Sequence, residues 1–271
     1  MGNKKIAIIG AGNMGAALAR GLKRSGYCPA SSICLSDTDK KKLTALKREQ
    51  FTVTSDNNKC IENARYVFIV VKPYLAEDIL KEITTVLNPN KQILISIAAG
   101  IGSKMIREIT GKKIPLFLAM PNTAITVNQS ATCLSTTNGS KMQITEVTRL
   151  FDHMGLTVLI DETQMGAATV IGSCATAFAM RFMRAAMTAG IEIGFKPDTA
   201  KHITAQVMRG AADLILINRS NPEDEIDKVS TPGGITITGL NEMEHNGFSS
   251  AIIKGMSKAY ANVGVHKNKK Q

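Results

Sequence analysis

Tryptophan is absent and aromatics make up only 4% of the 271 residues, so no stacking platform of interleaved aromatics accompanies the basic residues. The point matters because the formal net charge of +11 would otherwise suggest a nucleic-acid partner. The lysines and arginines fall in helical segments such as Lys40 to Arg48, mixed with apolar positions, and in the tail Lys267 to Lys270. They are read as a solvated face with a mild attraction for small polyanions, and no nucleic acid is expected. Cys28, Cys34, Cys60, Cys133 and Cys174 are odd in number and form no C-x-x-C pair, which argues against a disulfide framework and for reduced, mostly structural thiols. His153, His202, His245 and His266 never take H-E-x-x-H spacing, so no metal is expected. No uninterrupted apolar run reaches the ~18 residues of a membrane span, and the start lacks the long apolar region and cleavage site of a signal peptide. A cytoplasmic protein with no membrane partner is the expectation.

Hydrophobic content of 44% against 20% charged residues suits a globular chain of one or two domains with a sizeable core. Lys4 to Ile9 leads into Gly10-Ala11-Gly12-Asn13-Met14-Gly15, and Ala16, Leu18, Ala19 and Leu22 then recur at helical spacing. This is a strand, a glycine turn and a helix. In G-x-G-x-x-G the first glycine makes the tight turn, the second lets a pyrophosphate approach the backbone, and the third lets helix and strand pack closely. A second strand, Ser32 to Ser36, ends in Asp37, where a carboxylate would bond an adenosine ribose. Dinucleotide binding is expected. Asp37 favours NADH, while Lys40, Lys41 and Lys42 behind it, read first as an exposed helix face, leave NADPH open.

Strands and helices then alternate. Phe51 to Thr54 precedes Ser55-Asp56-Asn57, a plausible helix cap. Tyr66 to Val71, Ile93 to Ile97 and Leu116 to Met120 are buried strands that end in Lys72-Pro73, Ala98-Ala99-Gly100 and Pro121-Asn122-Thr123. In open α/β sheets the ligand crevice lies beyond the carboxyl ends of the strands, so these segments read as one cleft wall. Ala131 to Ser135, a helix from Met142 to Met154, and Leu156 to Ile160 finish the sheet. From Asp161 onward β-type runs stop, and residues 1–161 and 162–271 are taken as two domains, the second all helix. Its helices are Glu162 to Gly190, Pro197 to Asn218, Glu223 to Lys228, Leu240 to Asn246 and Ser249 to Val263. Several are rich in Ala, Met and Ile on more than one face, which predicts a homodimer or larger oligomer. Arg181 and Arg184 are expected to find ion pairs across such an interface.

Between the third and fourth of these helices lies Val229-Ser230-Thr231-Pro232-Gly233-Gly234-Ile235-Thr236. Gly233 and Gly234 let successive backbone N–H groups point at an anion, and a helix comes next, with Leu240 and Met243 facing inward. A carboxylate seat and a plain glycine corner both fit this stretch taken alone.

These motifs, with Val71-Lys72-Pro73, Ser96-Ile97-Ala98-Ala99-Gly100, Met120-Pro121-Asn122-Thr123 and Leu240-Asn241-Glu242-Met243-Glu244, occur in an order and spacing that resembles the pyrroline-5-carboxylate reductase family, up to about Val263. The resemblance implies an α/β chain: a Rossmann-type doubly wound sheet followed by an all-helical dimerisation domain. It implies hydride transfer from NADPH or NADH to the C=N carbon of 1-pyrroline-5-carboxylate, giving proline, at an active site shared between subunits. The cofactor residues are then Gly10, Gly12, Asn13, Met14, Gly15, Asp37, Asn57, Val71, Lys72, Pro73, Ala98, Ala99, Gly100, Met120, Pro121 and Asn122. The substrate carboxylate is assigned to Thr231, Gly233, Gly234 and Ile235, and the Thr236 hydroxyl is the catalytic donor to the imine nitrogen. The other expectation for Thr236 is a helix N-cap.

One segment departs from the family pattern. Where Gly-Ser-Gly-Pro-Ala-Tyr is usual, this chain has Ser173-Cys174-Ala175-Thr176-Ala177-Phe178, losing two glycines, a proline and a tyrosine hydroxyl. Two other functions stay open on the sequence: a reductase of another imine or a hydroxy acid, and a dinucleotide-binding regulator without turnover. A two-domain hydroxy-acid dehydrogenase would want a lysine in the first long helix after the sheet, and Glu162 to Gly190 contains none.

Overall fold

The computed structural model describes residues 5–98, 100–111 and 113–263. They form two compact units, one running to Ser173 and resuming at Tyr260, the other Cys174–Ala259. The first unit alternates β1 (Ile6–Ile9), α1 (Asn13–Arg24), β2 (Ile33–Ser36), α2 (Lys40–Arg48), β3 (Thr52–Thr54), α3 (Asn57–Ile61), β4 (Tyr66–Ile69) and α4 (Pro73–Ile83). It continues through β5 (Ile93–Ser96), α5 (Ser103–Thr110), β6 (Leu116–Met120), β7 (Ser130–Thr136), α6 (Lys141–Asp152) and β8 (Gly155–Leu159).

All eight strands join one sheet in the order β3-β2-β1-β4-β5-β6-β7-β8, parallel except where β7 runs against β6. Strands β1, β4, β5 and β6 are buried at every residue, as expected of a parallel sheet covered on both faces. The period of two sends Ile6, Ile8 and Phe68 into one layer with Leu18, Leu22, Leu35, Phe117 and Phe151, and Ala7, Ile9 and Ile69 into the other with Leu80, Ile83 and Leu94. The strand order reverses between β2 and β4 on either side of β1, where Ile9 pairs with Ser36 and with Ile69. That reversal point, at the carboxyl ends of the strands, is where such sheets take ligands. The Rossmann-type expectation therefore holds in order and direction.

Beyond β8 come α7 (Met165–Ala168), a π-helical stretch Thr169–Cys174, α8 (Ala175–Glu192), α9 (Pro197–Asn218), α10 (Pro222–Val229), α11 (Ile235–His245) and α12 (Phe248–Ala261). The boundary between compact units falls within this continuous helical run, at Ser173/Cys174, because Ala168 and Val170 are buried with the sheet unit. In the second unit α8 packs on α9. Little else there is covered: α8, α10, α11 and α12 have no buried residue and α9 has only Ala200. Arg181 and Arg184 lie on α8.

One element is missed by the sequence and two expectations need correction. Ser103–Thr110 form α5, an element that the sequence pattern does not predict. Helix α11 starts at Ile235 rather than Leu240, because a tight turn at Thr231–Gly234 releases the chain directly into helix. Leu240 is half-buried and Met243 38% exposed, so the inward face expected of them is only partly covered within this chain, and α11 buries no residue fully. The run Glu162–Glu192 is also long and apolar enough, by length and composition alone, to cross a membrane. It carries Arg181 and Arg184, and its apolar surface equally suits a subunit interface.

Candidate active site

The first glycine cluster sits at the reversal point. Gly10 has φ +102°, and a side chain there would collide with the carbonyl of Val70 and come within 2.8 Å of Val71 Cγ1. A Cβ on Gly15 would collide with the carbonyl oxygen of Gly10 and lie 3.3 Å from Ile8. Both glycines are thus required by the fold itself: the first by the turn, the third by the approach of α1 to β1. Gly12 differs. Its φ of −68° suits any residue, and among the described residues nothing lies within 4 Å of where its Cβ would be. No contact among them demands glycine there; an approaching ligand would.

Gly12 is the N-cap of α1, with no side-chain cap and no acid in the first turn. The first-turn N–H groups, Asn13, Met14 and Gly15 among them, and the positive end of the helix dipole therefore face an open space suited to a pyrophosphate. Ala11 N donates to Asp37 Oδ2 at 2.9 Å, and Asp39 N donates to Asp37 Oδ1 at 2.9 Å. Each carboxylate oxygen keeps a further lone pair for a ribose hydroxyl. Lys42 Nζ stands 3.7 Å from both Asp37 and Asp39, so Lys42 is turned toward the site rather than lying only on the helix face. The backbone N–H groups of Lys41 and then Lys42 hold the Asp39 carboxyl below its usual range, with the two lysine charges adding to this. Asp56 caps α3, and Asn57 just inside it accepts from Ser36 Oγ at 2.7 Å and donates to Glu82 at 2.9 Å, which pins the end of β2. These residues fit the adenosine and pyrophosphate portions of a dinucleotide.

The other strand ends expected in the wall are those of β4, β5 and β6. Lys72 is the N-cap of α4 and Pro73 its first residue. Beyond β5 and β6 a cavity of about 210 Å³ is lined by Ser96, Ala98, Gly100, Met120, Met165 and Thr169, among others. Ala98, Gly100 and Met120 are expected there from the sequence, whereas Ala99 lies outside the described residues. Met165 and Thr169 are not signalled by any motif, nor is Glu162, which borders the same cavity. Asn122 is buried; its amide donates to Gly172 O at 2.9 Å, and its Oδ1 accepts from Ala124 N at 3.0 Å. Asn122 thus supports the π-helical stretch, a feature frequent at functional sites, and the segment departing from the family pattern begins inside it.

The second cluster lies in the helical unit. Gly234 N donates to Thr231 O at 2.9 Å, and Gly233 has φ +68°. With Pro232 before it, this is the pattern of a type II turn. A Cβ on Gly234 would lie 2.6 Å from Thr231 Oγ1, so a side chain there would displace that hydroxyl. Gly234 is the N-cap of α11, again without a side-chain cap or a first-turn acid. Ile235 is 92% exposed, and Thr236, at the second helical position, is exposed as well. Thr236 is not the N-cap, which removes the structural alternative for its hydroxyl. Beside the turn, Ser230 Oγ is buried with no hydrogen-bond partner among the described residues.

Residues 162–264 match a family model described as pyrroline-5-carboxylate reductase dimerisation, and residues 5–100 match one described as NADP oxidoreductase, coenzyme F420-dependent. Pyrroline-5-carboxylate reductase 2 of Dictyostelium discoideum is 41% identical over 270 residues, which cover 94% of this chain and 90% of that protein. Pyrroline-5-carboxylate reductase 1 of the same organism is 40% identical over 263 residues, 93% of this chain but 48% of the relative, so the chain spans about half the length of that protein. A Plasmodium falciparum pyrroline carboxylate reductase solved with NADP bound shares the fold at a TM-score of 0.88 and 24% identity, covering 99% of this chain and all (100%) of that one.

Proposed function

The chain belongs to the pyrroline-5-carboxylate reductase family, and from that premise we propose that it reduces 1-pyrroline-5-carboxylate to proline with NADPH or NADH. The observation that carries the reading is a pair of glycine-capped helix ends, at α1 and α11, each without a side-chain cap or a first-turn acid. One seats a pyrophosphate and the other a carboxylate. In this reading residues 1–161 form the dinucleotide-binding domain, and residues 162–271 the helical domain that holds substrate and makes the homodimer or larger oligomer. The open apolar faces of α8 to α12 support that division of labour, and the free cysteines suit the cytoplasm.

When bound, the dihydronicotinamide supplies a hydride to the imine carbon. The chain's residues bind, orient and hold protons. The amides at the start of α1 take the pyrophosphate, Asp37 takes the adenosine ribose, and the strand-end residues Val71, Lys72, Pro73, Ala98, Gly100, Met120, Pro121 and Asn122 line the remainder of the dinucleotide's path. The turn Thr231–Gly234 and the first amides of α11, Ile235 included, take the substrate carboxylate. The Thr236 hydroxyl, first expected to donate to the imine nitrogen, instead accepts a hydrogen bond from the N–H of the protonated ring. Threonine is a poor general acid, so the substrate arrives with its nitrogen protonated and the hydroxyl orients the iminium. As the carbon gains the hydride, the C=N π pair becomes the nitrogen lone pair and the proton stays on nitrogen.

The test is oxidation of NADPH and of NADH followed with 1-pyrroline-5-carboxylate, with a β-hydroxy acid and the oxidised cofactors as comparison. Turnover of the imine alone is expected. Binding of cofactor without turnover of the imine would support a regulator and end this proposal. Asp37→Ala is expected to raise the NADPH-to-NADH ratio of kcat/KM by about tenfold or more, since a carboxylate facing the 2′ position repels a phosphate and Lys42 remains to attract it. Steady-state kinetics with both cofactors measure it, and an unchanged ratio would remove Asp37 from cofactor choice.

A further inference from the structure

Helix α5 shares the glycine N-cap of α1 and α11: Gly102 has φ −84°, ψ 163°, and carries no side chain to cap the helix. At α1 and α11 that end is open. At α5 it is filled from 59 residues away, because Glu162 Oε1 accepts from Ser103 N at 2.7 Å and Glu162 Oε2 accepts from Ser103 Oγ at 2.6 Å. The carboxylate therefore uses both oxygens on one residue, at the positive end of the helix, where negative charge is favoured. Two short charge-assisted bonds fix direction as well as distance.

What that clamp holds is the edge of a cavity. Glu162 and Gly102 both line the space of about 210 Å³ beyond β5 and β6, together with Ser96, Ala98, Gly100 and Met120. Gly100 has φ +76°, so the chain turns sharply just before the clamped residue. Met165 and Thr169, which also line the cavity, continue the helical run that Glu162 opens. The clamp thus ties the turn after β5 to the 3-10 turn Glu162–Gln164 that leads into α7, at the border of the cavity. The volume is below the ~300–1,000 Å³ of sites that enclose a whole drug-sized ligand, and suits one ring-bearing end of a dinucleotide whose other end lies at Gly12 and Asp37.

We propose that Glu162 is a positioning residue for the nicotinamide half of the cofactor: by capping α5 at Ser103 it holds the Gly100–Gly102 turn in the shape that receives that ring. The inference rests on the dinucleotide reading under the proposed function but not on the identity of the imine. It predicts a division between the two halves of the cofactor that a general loss of stability would not produce. Glu162→Ala is expected to raise the Kd of NADPH and NADH by about five- to tenfold. Binding of ADP-ribose, which lacks the nicotinamide ring, stays within about twofold of wild type, because Gly12, Asp37 and the α1 N-terminus are untouched. Glu162→Gln keeps one acceptor for Ser103 N and recovers part of the loss, and Ser103→Ala, which removes only the Oγ arm, gives a smaller loss.

The experiment is calorimetric titration of wild type and the three variants with NADPH, NADH and ADP-ribose, alongside thermal unfolding. Selective weakening of the dinucleotides, with partial rescue by glutamine, supports the assignment. Equal weakening of ADP-ribose and dinucleotide, or no change in either, overturns it. Wild-type protein that binds neither dinucleotide would overturn the cofactor reading itself, a result distinct from unchanged binding in Glu162→Ala. If Glu162→Ala does not fold, Glu162→Gln and Ser103→Ala decide the matter by the same comparison.

Discussion

Gly12→Ala is expected to raise the Kd for NADPH and NADH by about a hundredfold while leaving the melting temperature unchanged or slightly higher. The described residues give alanine no reason to be unwelcome: φ is −68° and none of them stands within 4 Å of the new methyl group. Replacing glycine at a compatible backbone position usually stabilises by about 0.4–1 kcal/mol, through the unfolded chain. The methyl group instead occupies the space through which a pyrophosphate reaches the first amides of α1. Losing one or two charge-assisted bonds of about 1.5–3 kcal/mol each gives the hundredfold figure. Gly15→Ala makes an instructive contrast, because its Cβ meets the Gly10 carbonyl, and lost binding would there come with lost stability. Fluorescence titration with each cofactor, beside a melting curve, checks both. Tight binding by Gly12→Ala would mean that the pyrophosphate lies elsewhere.

The second large effect is expected at Thr236. Its hydroxyl is exposed, sits one residue inside α11 and has no capping duty, so its removal leaves the helix intact. A hydrogen bond to a charged partner contributes about 1.5–3 kcal/mol, so Thr236→Ala is expected to lower kcat/KM for the imine by roughly ten- to a hundredfold. Thr236→Ser keeps the hydroxyl and recovers most of the activity. The KM for the cofactor stays near wild type, since no cofactor contact is assigned to this residue. A fall in kcat/KM of less than about threefold, or under ~0.7 kcal/mol, would show that another group meets the nitrogen.

The sheet is legible in the sequence because its central strands are apolar on both faces. Tyr66 to Ile69, Ile93 to Ser96 and Leu116 to Met120 carry no competing pattern, and the glycine motif after β1 specifies both the turn and the helix behind it. Local signals fail at α11. Ile235-Thr236-Ile237-Thr238 is β-branched throughout and reads poorly as helix, yet the turn at Gly233 and Gly234 starts the helix there. The expected inward side of Leu240 and Met243 is only partly met, Leu240 being half-buried and Met243 38% exposed, for another reason: a hydrophobic face says that something covers it, not that the same chain does. Glu162 cannot be found by pattern at all. Its contact is with Ser103, 59 residues away, and a glutamate after an aspartate at a helix start reads as ordinary charge. The π-helical turn at Thr169–Cys174 is equally silent in the sequence, since its apolar residues continue the helical spacing on either side.

The destination of the hydride tests the central claim most directly. The protein would be incubated with 1-pyrroline-5-carboxylate and NADPH or NADH carrying deuterium at the transferable position of nicotinamide C4, and the product read by mass spectrometry and NMR. Proline with one deuterium, located on the ring carbon that was the imine carbon, is the result this account predicts. Unlabelled proline, or cofactor that stays reduced while bound beside the imine, would contradict it.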